Sequence, residues 1–463
     1  MKNTVLISLL TMIISGSLAA SEQVPQQEYT AEWASLDSRP NPSWFSEAKF
    51  GIFIHWGVYS VPSWGPRGQY AEWYWERVTR DGADGPWRTH HREMYGEDFD
   101  YRDFAPKFGA ELFDADHWAN IFKRSGARYV VLTSKHHDGY ALWPAPKTEG
   151  WNSVDVGPGR DLCGELSNAV RNAGLHMGFY YSLHDWFHPD YAPGDPNGAR
   201  DIDKYVEEYM LPQMKDLVLR YEPDIIWPDG EWTAPAEKWR SKEFLAWLFN
   251  ESPVRDRVAV NDRWGVGLRS SHGGFFTTEY GEVGAGIELG RGRDWEECRG
   301  MGHSFGYNRN ETIDDYMTVA ECIKLLVDTV SRGGNLLLNI GPTADGRIPV
   351  IMEDRLIRMG EWLRINGDAI YGTHAWRVNS EQGFVYYTAK GDKLFAICTN
   401  LPDGKLVLES VEPTDDTTVR LLGSDLLLEW ENDGGRLKLD LAQICPSQLA
   451  GKIAFAFEII GVL

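Results

Sequence analysis

The stretch Asp224-Ile-Ile-Trp-Pro-Asp-Gly-Glu-Trp232 decides the interpretation of this chain. Its apolar segment, residues 225–227, predicts a short buried strand that ends at a proline and places Asp229 at the C-terminal tip. In a β/α barrel, the C-terminal tips of the strands carry the chemistry. An acid beside tryptophans at such a tip favours an enzyme that acts on a sugar. The carboxylate can attack an anomeric carbon, and an indole offers an apolar face to the sugar ring.

Short apolar segments alternate with amphipathic helical segments from about residue 43 to residue 372. This alternation predicts a parallel sheet, most simply closed into a (β/α)8-like TIM barrel. A doubly wound open sheet is the alternative, but no Gly-x-Gly-x-x-Gly follows any predicted strand. The predicted strands are Phe50–Ile54, Tyr129–Leu132, Met177–Tyr181, Ile225–Trp227, Val258–Val260 and Leu336–Ile340, and the predicted helices are Ala115–Ser125, Leu162–Ala173, Tyr205–Tyr221 and Val319–Ser331.

The two ends of the chain differ from this pattern. After Tyr371, short strand-like runs are separated by turns such as Asn432-Asp-Gly-Gly435, which predicts a small antiparallel β-sandwich over residues 373–463. At the other end, Lys2, an apolar run and small residues up to Ala20 predict a secretory signal peptide over residues 1–20. The apolar run is shorter than the roughly 20 residues that span a bilayer. We therefore expect an exported protein, periplasmic or secreted, with no membrane span and a catalytic barrel over residues 21–372.

Composition excludes some classes of partner. The chain has 46 Lys and Arg against 68 Asp and Glu, a net charge of −22, so it repels phosphate backbones and nucleic acid is not an expected partner. Its five cysteines are widely spaced without a Cys-x-x-Cys, which indicates neither a disulfide scaffold nor a zinc site; one disulfide stays open, with no pair assigned. The oligomeric state is also open, a homo-oligomer included.

Histidines and an arginine follow the predicted strands. His55 comes after the first strand, and His136 and His137 come after the second. Three imidazoles could hold zinc, but adjacent residues of a strand point to opposite sides, and no His-x-His is present. Binding of sugar hydroxyls is the favoured interpretation, and structural histidines remain a third. Arg263 could hold a substrate hydroxyl, tune a nearby carboxylate, or simply pair with Asp262.

Eight motifs lie between residues 43 and 372: Lys49-Phe-Gly-Ile-Phe-Ile-His-Trp-Gly57, Tyr70-Ala-Glu-Trp73, Lys135-His-His-Asp-Gly139, Phe179-Tyr-Tyr-Ser182, Asp224-Ile-Ile-Trp-Pro-Asp-Gly-Glu-Trp232, Val260-Asn-Asp-Arg-Trp-Gly265, Ser304-Phe-Gly-Tyr-Asn308 and Gly333-Gly-Asn-Leu-Leu-Leu-Asn-Ile-Gly-Pro342. Taken together, they resemble the motifs of the α-L-fucosidases of glycoside hydrolase family 29. The C-terminal part resembles that family only in position and general pattern. The resemblance implies a retaining glycosidase that releases terminal α-L-fucose from oligosaccharides or glycoconjugates and needs no cofactor.

The resemblance also implies roles for single residues. The family's nucleophile falls on Asp229, and Phe305 falls where an apolar wall would face the C6 methyl of fucose. Tyr180 is an alternative to Tyr181, and Trp295 is a further apolar candidate. The chain departs from the family at Pro228, which removes a backbone N–H beside the nucleophile. The positions that would surround fucose are His55, Glu72, Trp73, His136, His137, Tyr181, Trp227, Arg263 and Phe305.

A retaining mechanism needs a second carboxylate, about 5–5.5 Å from the first. Glu279, in Phe275-Phe-Thr-Thr-Glu-Tyr280, falls where bacterial relatives carry the acid/base, and Glu231 is expected to form hydrogen bonds within the rim. The other candidates for the acid/base are Glu282, Glu288, Glu296 and Glu297.

Two other functions stay open at this point: a metal-dependent hydrolase on the same barrel, and a non-catalytic fucose-binding protein.

Overall fold

The computed structural model describes residues 27–186, 188–191, 201–281, 292–445 and 453–462. The predicted signal peptide lies outside these residues. Two of the rival acids, Glu282 and Glu288, lie outside them as well.

Eight parallel strands form one curled sheet in the order β5-β4-β3-β2-β1-β8-β7-β6. The two ends of the sheet meet where the N–H of Phe275 donates to the carbonyl of Val260 at 2.9 Å. The predicted TIM-like barrel is therefore confirmed. The strands are β1 (Phe50–Ile54), β2 (Tyr129–Lys135), β3 (His176–Ser182), β4 (Ile225–Asp229), β5 (Ala259–Val260), β6 (Phe276–Glu279), β7 (Trp295–Gly300) and β8 (Asn335–Ile340).

Helices surround the sheet, but the β/α repeat is incomplete. Among the described residues, no helix lies between β5 and β6 or between β6 and β7. No described helix is both long and apolar enough to cross a bilayer. The helices are α1 (Trp33–Leu36), α2 (Ser43–Ala48), α3 (Tyr74–Arg80), α4 (Pro86–Tyr95), α5 (Ala115–Arg124), α6 (Leu162–Asn172), α7 (Ile202–Tyr205), α8 (Leu211–Tyr221), α9 (Ala236–Trp239), α10 (Ser241–Asn250), α11 (Val319–Ser331) and α12 (Val350–Asn366), with a π-helical segment (Val206–Met210) joining α7 to α8.

Side chains of the barrel strands alternate between two apolar cores. One core fills the barrel interior and includes Phe53, Tyr180 and Trp227. The other lies between the strands and the surrounding helices, and includes Tyr181 and Ile226. Because successive residues of a strand point to opposite faces, neighbours in sequence belong to different cores. This alternation decides which residues can reach a cavity at the mouth of the barrel.

The C-terminal region folds as two facing antiparallel sheets, ordered β13-β16-β11-β10-β9 and β12-β15-β14. An apolar core between them includes Val385, Leu406 and Leu437. The five-stranded sheet also packs on the barrel, where the indole of Trp362 in α12 donates to the carbonyl of Ala454 at 3.0 Å. The strands are β9 (His374–Glu381), β10 (Val385–Lys390), β11 (Lys393–Cys398), β12 (Lys405–Leu408), β13 (Pro413–Leu421), β14 (Trp430–Asn432), β15 (Leu437–Asp440) and β16 (Phe455–Val462).

Candidate active site

A cavity of about 140 Å³ opens at the C-terminal ends of the barrel strands. It takes its lining from most of the strand ends, which explains why its residues are scattered through the sequence. All but one of the residues that the sequence placed around the substrate line it. The lining consists of Phe53, His55, Tyr70, Glu72, Trp73, His136, His137, Tyr180, Trp227, Asp229, Trp232, Arg263, Arg269, Glu279, Cys298 and Phe305.

Asp229 is the last residue of β4, and its carboxylate is held from both sides. Arg263 donates from Nη1 to Oδ1 at 2.7 Å, and the hydroxyl of Tyr180 donates to Oδ2 at 3.0 Å. Burial alone would raise the pKa of this carboxyl, but the charges of Arg263 and Arg269 outweigh it and lower the pKa below its ordinary value. Asp229 is therefore a buried, ionised and firmly oriented carboxylate.

Arg269 belongs to the same cavity, although nothing in the sequence singled it out. Its Nη2 lies 3.8 Å from Oδ1 of Asp229, and its Nε donates to the buried carboxylate of Glu231 at 2.6 Å. Burial, and next the charge of Asp229, raise the pKa of Glu231. Glu231 thus forms a hydrogen bond within the rim, and this bond holds Arg269 beside Asp229.

Glu279 ends β6 and faces Asp229 across one guanidinium. Its Oε2 accepts from Nη2 of Arg263 at 3.3 Å, and its Oε1 accepts from the hydroxyl of Tyr70 at 3.4 Å. Its side chain is 28% exposed, against 12% for that of Asp229. Of the two carboxylates that share Arg263, Glu279 is the more accessible to solvent.

The two rival acids of β7 lie elsewhere. Glu296 is buried within the barrel, where its oxygens accept from the hydroxyl of Tyr129 at 2.6 Å and from the indole of Trp227 at 2.9 Å. Burial raises its pKa to about 7. Glu297 accepts from the hydroxyl of Thr278 and from the N–H of Gly281 at 3.0 Å. Neither carboxylate lines the cavity.

Three histidines line one side of the cavity as neutral rings. Burial lowers the pKa of His55 to about 4 and lowers those of His136 and His137 well below their ordinary value. Nδ1 of His55 bonds to Oδ1 of Asn339 at 2.7 Å, and Nδ1 of His137 bonds to Oγ of Ser182 at 2.6 Å. These bonds fix the rings and leave the second nitrogen of each for another partner.

Within the described residues, no three His, Cys, Asp or Glu side chains are arranged so that they could hold a metal ion. The rings of His55 and His136 lie with centroids 5.6 Å apart, and that of His136 lies parallel to Tyr180 at 5.7 Å.

Glu72 fixes the apolar wall of the cavity. Its Oε2 accepts from the N–H of Gly306 at 2.8 Å and from the hydroxyl of Ser304 at 3.2 Å. These bonds hold the segment that carries Phe305, whose ring packs against His55 at 4.9 Å and Tyr70 at 5.5 Å. Burial raises the pKa of Glu72 to about 7. A buried acid thus holds one of the aromatic rings that line the cavity.

Comparison with known sequences identifies the family of this chain. The family model described as Alpha-L-fucosidase matches residues 17–368, and that of the Alpha-L-fucosidase C-terminal domain matches residues 379–460. The chain belongs to the α-L-fucosidase family. It is 46% identical to a tissue alpha-L-fucosidase of Bos taurus over 439 residues, which are 94% of this chain and 92% of that one. It is 43% identical to that of Homo sapiens over 459 residues, 98% of this chain and 96% of that one.

Structural comparison agrees. The crystal structure of Thermotoga maritima alpha-fucosidase in complex with fucose matches with a TM-score of 0.79 and 40% identity, covering 94% of this chain and all of that one. The chain is accordingly an α-L-fucosidase, a glycoside hydrolase.

Two residues that the sequence offered for this fucosidase cavity do not reach it. Tyr181 points outward from the barrel, where its hydroxyl donates to Oε1 of Gln213 at 2.8 Å. Its neighbour Tyr180 points inward and bonds to Asp229. The cavity therefore contains Tyr180, the alternative that the sequence offered, in place of Tyr181, because the two lie on opposite faces of β3. Trp295 is buried away from the cavity and donates to the carbonyl of Arg332 at 3.1 Å.

The two tyrosines of β3 make a matched pair of variants. Tyr180→Phe removes a donor from Asp229, so the pKa of that carboxyl rises and a smaller fraction is ionised in acid. We expect kcat/KM to fall about tenfold and its acidic limb to move to higher pH. Tyr181→Phe removes a buried hydrogen bond outside the cavity, so we expect a loss of about 1 kcal/mol in stability and kcat/KM within about twofold of wild type. An acidic limb that moved only in Tyr181→Phe would contradict the assignment.

Several cavity residues of this fucosidase escaped the sequence-based choice. Tyr70 and Trp232 lie within the quoted motifs, yet nothing in the motifs assigns them a contact. Cys298 lines the floor from β7, 3.7 Å from Nη2 of Arg263, and Arg269 lies in a loop without a motif. The sequence around Cys298 and Arg269 does not indicate that they line the cavity, because their positions depend on how β5, β6 and β7 pack.

Proposed function

We propose that this enzyme is a retaining exo-α-L-fucosidase in which Asp229 is the nucleophile and Glu279 the acid/base. The observation that carries the proposal is that both carboxylates accept hydrogen bonds from Arg263, at 2.7 Å from Nη1 and 3.3 Å from Nη2. One guanidinium spans the gap between them. This favours the separation of about 5–5.5 Å used by retaining enzymes over the roughly 6.5–9.5 Å of inverting ones.

The environments of the two acids support different roles. Asp229 is kept ionised by two guanidinium groups and oriented by Tyr180, as a nucleophile requires. Glu279 is more exposed and lies at the outer end of the same bond network. It can therefore donate a proton to a departing glycosidic oxygen and later take one from water. In the first step Asp229 attacks C1 as Glu279 protonates the leaving oxygen; in the second, Glu279 deprotonates the water that breaks the ester.

The remaining lining residues suit a terminal fucose. The neutral rings of His55, His136 and His137 can each donate to or accept from a sugar hydroxyl without adding charge. Phe305 offers the apolar wall that a C6 methyl group needs. These groups fix one sugar ring against the nucleophile, which supplies the positioning part of catalysis.

The shape of the cavity supports removal of a terminal residue. Its volume is about 140 Å³, and Trp227 and Cys298 line it from within the barrel, where both are buried. This closed inner end favours a single terminal sugar there over a sugar within a continuing chain. The substrates we propose are fucosylated oligosaccharides or glycoconjugates, met outside the cytoplasm after export through the predicted signal peptide.

A slow, fluorinated substrate tests the covalent step. We expect 2-deoxy-2-fluoro-α-L-fucosyl fluoride to inactivate the enzyme and to leave one fluorofucosyl group per molecule, on the peptide that contains Asp229. Mass spectrometry of the digest locates the label, and prior incubation with fucose should slow the labelling. A label on another residue, or none while the reagent is hydrolysed, would show that Asp229 is not the nucleophile.

A further inference from the structure

Trp232 is unusual among the aromatic residues of this protein. At 39% exposure, it is the most exposed tryptophan, tyrosine or phenylalanine within the described parts of the chain. It lies three residues after Asp229, in the short 3-10 turn Glu231–Thr233, and lines the active-site cavity. An exposed indole at this point of the fold leaves a large apolar surface in water beside the nucleophile.

The indole is held in place by its surroundings. Its ring packs against His184 at 4.9 Å and His137 at 5.5 Å, and lies nearly parallel to Trp73, with centroids 6.3 Å apart and 21° between planes. The turn beneath it is pinned where the indole of Trp239 donates to the carbonyl of Glu231 at 3.2 Å. Trp232 therefore presents a fixed apolar face to the mouth of the cavity.

Exposure of the aromatic rings rises from the floor of the cavity to its mouth. Trp227 is 1% exposed, Phe305 is 5% exposed, and Trp232 is 39% exposed. If fucose occupies the buried part against Asp229, the group on the far side of the scissile bond lies at the mouth. Arg269, about a third exposed, brings hydrogen-bond donors to the same region.

We infer that Trp232 forms the acceptor subsite: its indole face binds the sugar ring to which the terminal fucose is attached. An indole recognises a pyranose through the apolar C–H face of the ring, and Arg269 can donate to that ring's hydroxyls. The donors of Arg269 favour a hydroxylated ring, a pyranose, over an alkyl chain at this position. This inference rests on the proposed function, because it takes the cavity to hold fucose against Asp229.

The test compares two substrates in the same preparation. A fucosyl-galactose disaccharide has a ring in the acceptor subsite, whereas α-L-fucosyl fluoride has none. We expect Trp232→Ala to lower the ratio of kcat/KM for the disaccharide to kcat/KM for the fluoride about tenfold. Trp232→Phe keeps an apolar face and should lower the ratio less than threefold. Because both substrates report on the same active molecules, a partly folded preparation does not change the ratio.

A matched control and a second measurement accompany this ratio. Val266 is exposed on a neighbouring loop but does not line the cavity, so Val266→Ala should leave the ratio within about twofold of wild type. In a second measurement, methyl β-D-galactopyranoside is offered as an acceptor during turnover of fucosyl fluoride. Trp232→Ala should lower the proportion of fucose transferred to it relative to the proportion released to water by a similar factor.

An unchanged ratio in Trp232→Ala would overturn the inference. If kcat/KM fell equally on both substrates, Trp232 would act in fucose binding or folding; if it fell on neither, the indole would take no part in binding. The proposed mechanism fails by a different observation, the absence of a fluorofucosyl label on Asp229. The two failures are therefore distinguishable, since the substrate ratio does not depend on which carboxylate forms the covalent bond.

Discussion

Asp229→Gly should lower kcat/KM for 4-nitrophenyl α-L-fucoside by at least about 10⁴-fold. The carboxylate is the group that we expect to bond to C1. Of the other two acids that line the described cavity, Glu279 lies across Arg263, and Glu72 is bonded to Gly306 and Ser304. Arg263 keeps its bonds to Glu279 and to the hydroxyl of Thr277 at 3.0 Å, so the rest of the site should persist. Steady-state kinetics of the purified variant measures the loss.

Azide distinguishes a lost nucleophile from a damaged site. A small anion can enter the space that Asp229 vacates and attack C1 from the same side, so azide should restore part of the activity and yield β-L-fucosyl azide. The anomer, identified by NMR, reports the face of attack. Glu231→Gln is the matched control, because it alters a buried carboxylate two residues away that does not line the cavity. Azide should not stimulate that variant; stimulation of Glu231→Gln and not of Asp229→Gly would reverse the assignment.

Glu279→Ala should show a loss that depends on the leaving group. On a fucosyl disaccharide, whose leaving oxygen must be protonated, we expect kcat/KM to fall about 10²–10⁴-fold. On α-L-fucosyl fluoride, which needs little acid assistance, the fall in kcat/KM should stay below about tenfold. Azide should accelerate turnover of the fluoride and give α-L-fucosyl azide, because it attacks the covalent intermediate from the face that water normally uses.

The glutamates of β7 provide the controls for Glu279. Glu297→Gln changes an acid bonded to Thr278 and Gly281, and Glu296→Gln changes one bonded between Tyr129 and Trp227. Any loss in these two variants should be similar for good and poor leaving groups. Full activity of Glu279→Ala on the disaccharide would refute the proton-donor assignment, and a leaving-group dependence in Glu297→Gln would transfer it to that residue.

The barrel could be predicted from sequence wherever its strands are apolar. Segments such as Phe50–Ile54 and Ile225–Trp227 are buried on both faces, so hydrophobicity alone marks them. The strands β6 (Phe276–Glu279) and β7 (Trp295–Gly300) escaped prediction. They carry threonines, glutamates and an arginine, because their side chains serve the polar site and its supporting bonds. A functional strand thus loses the pattern by which strands are recognised.

The candidate site was predictable where a residue ends an apolar strand. His55 directly follows such a strand and Asp229 ends another, and the direction of a parallel barrel places both at one rim. Tyr180 and Tyr181 show the limit of that reasoning. Two adjacent tyrosines have the same chemistry, and only the register of β3 against its neighbours determines which of them faces Asp229.

The sequence by itself determined the class of fold, the family motifs and the carboxylate at the tip of β4, because these follow from short-range patterns of hydrophobicity and residue type. Only the tertiary structure decided that Arg263 joins Asp229 to Glu279, that Arg269 lies beside them, and that Trp232 stays exposed at the mouth. Those relations join residues of different strands and loops. They depend on how the sheet closes, which no local pattern of residues specifies.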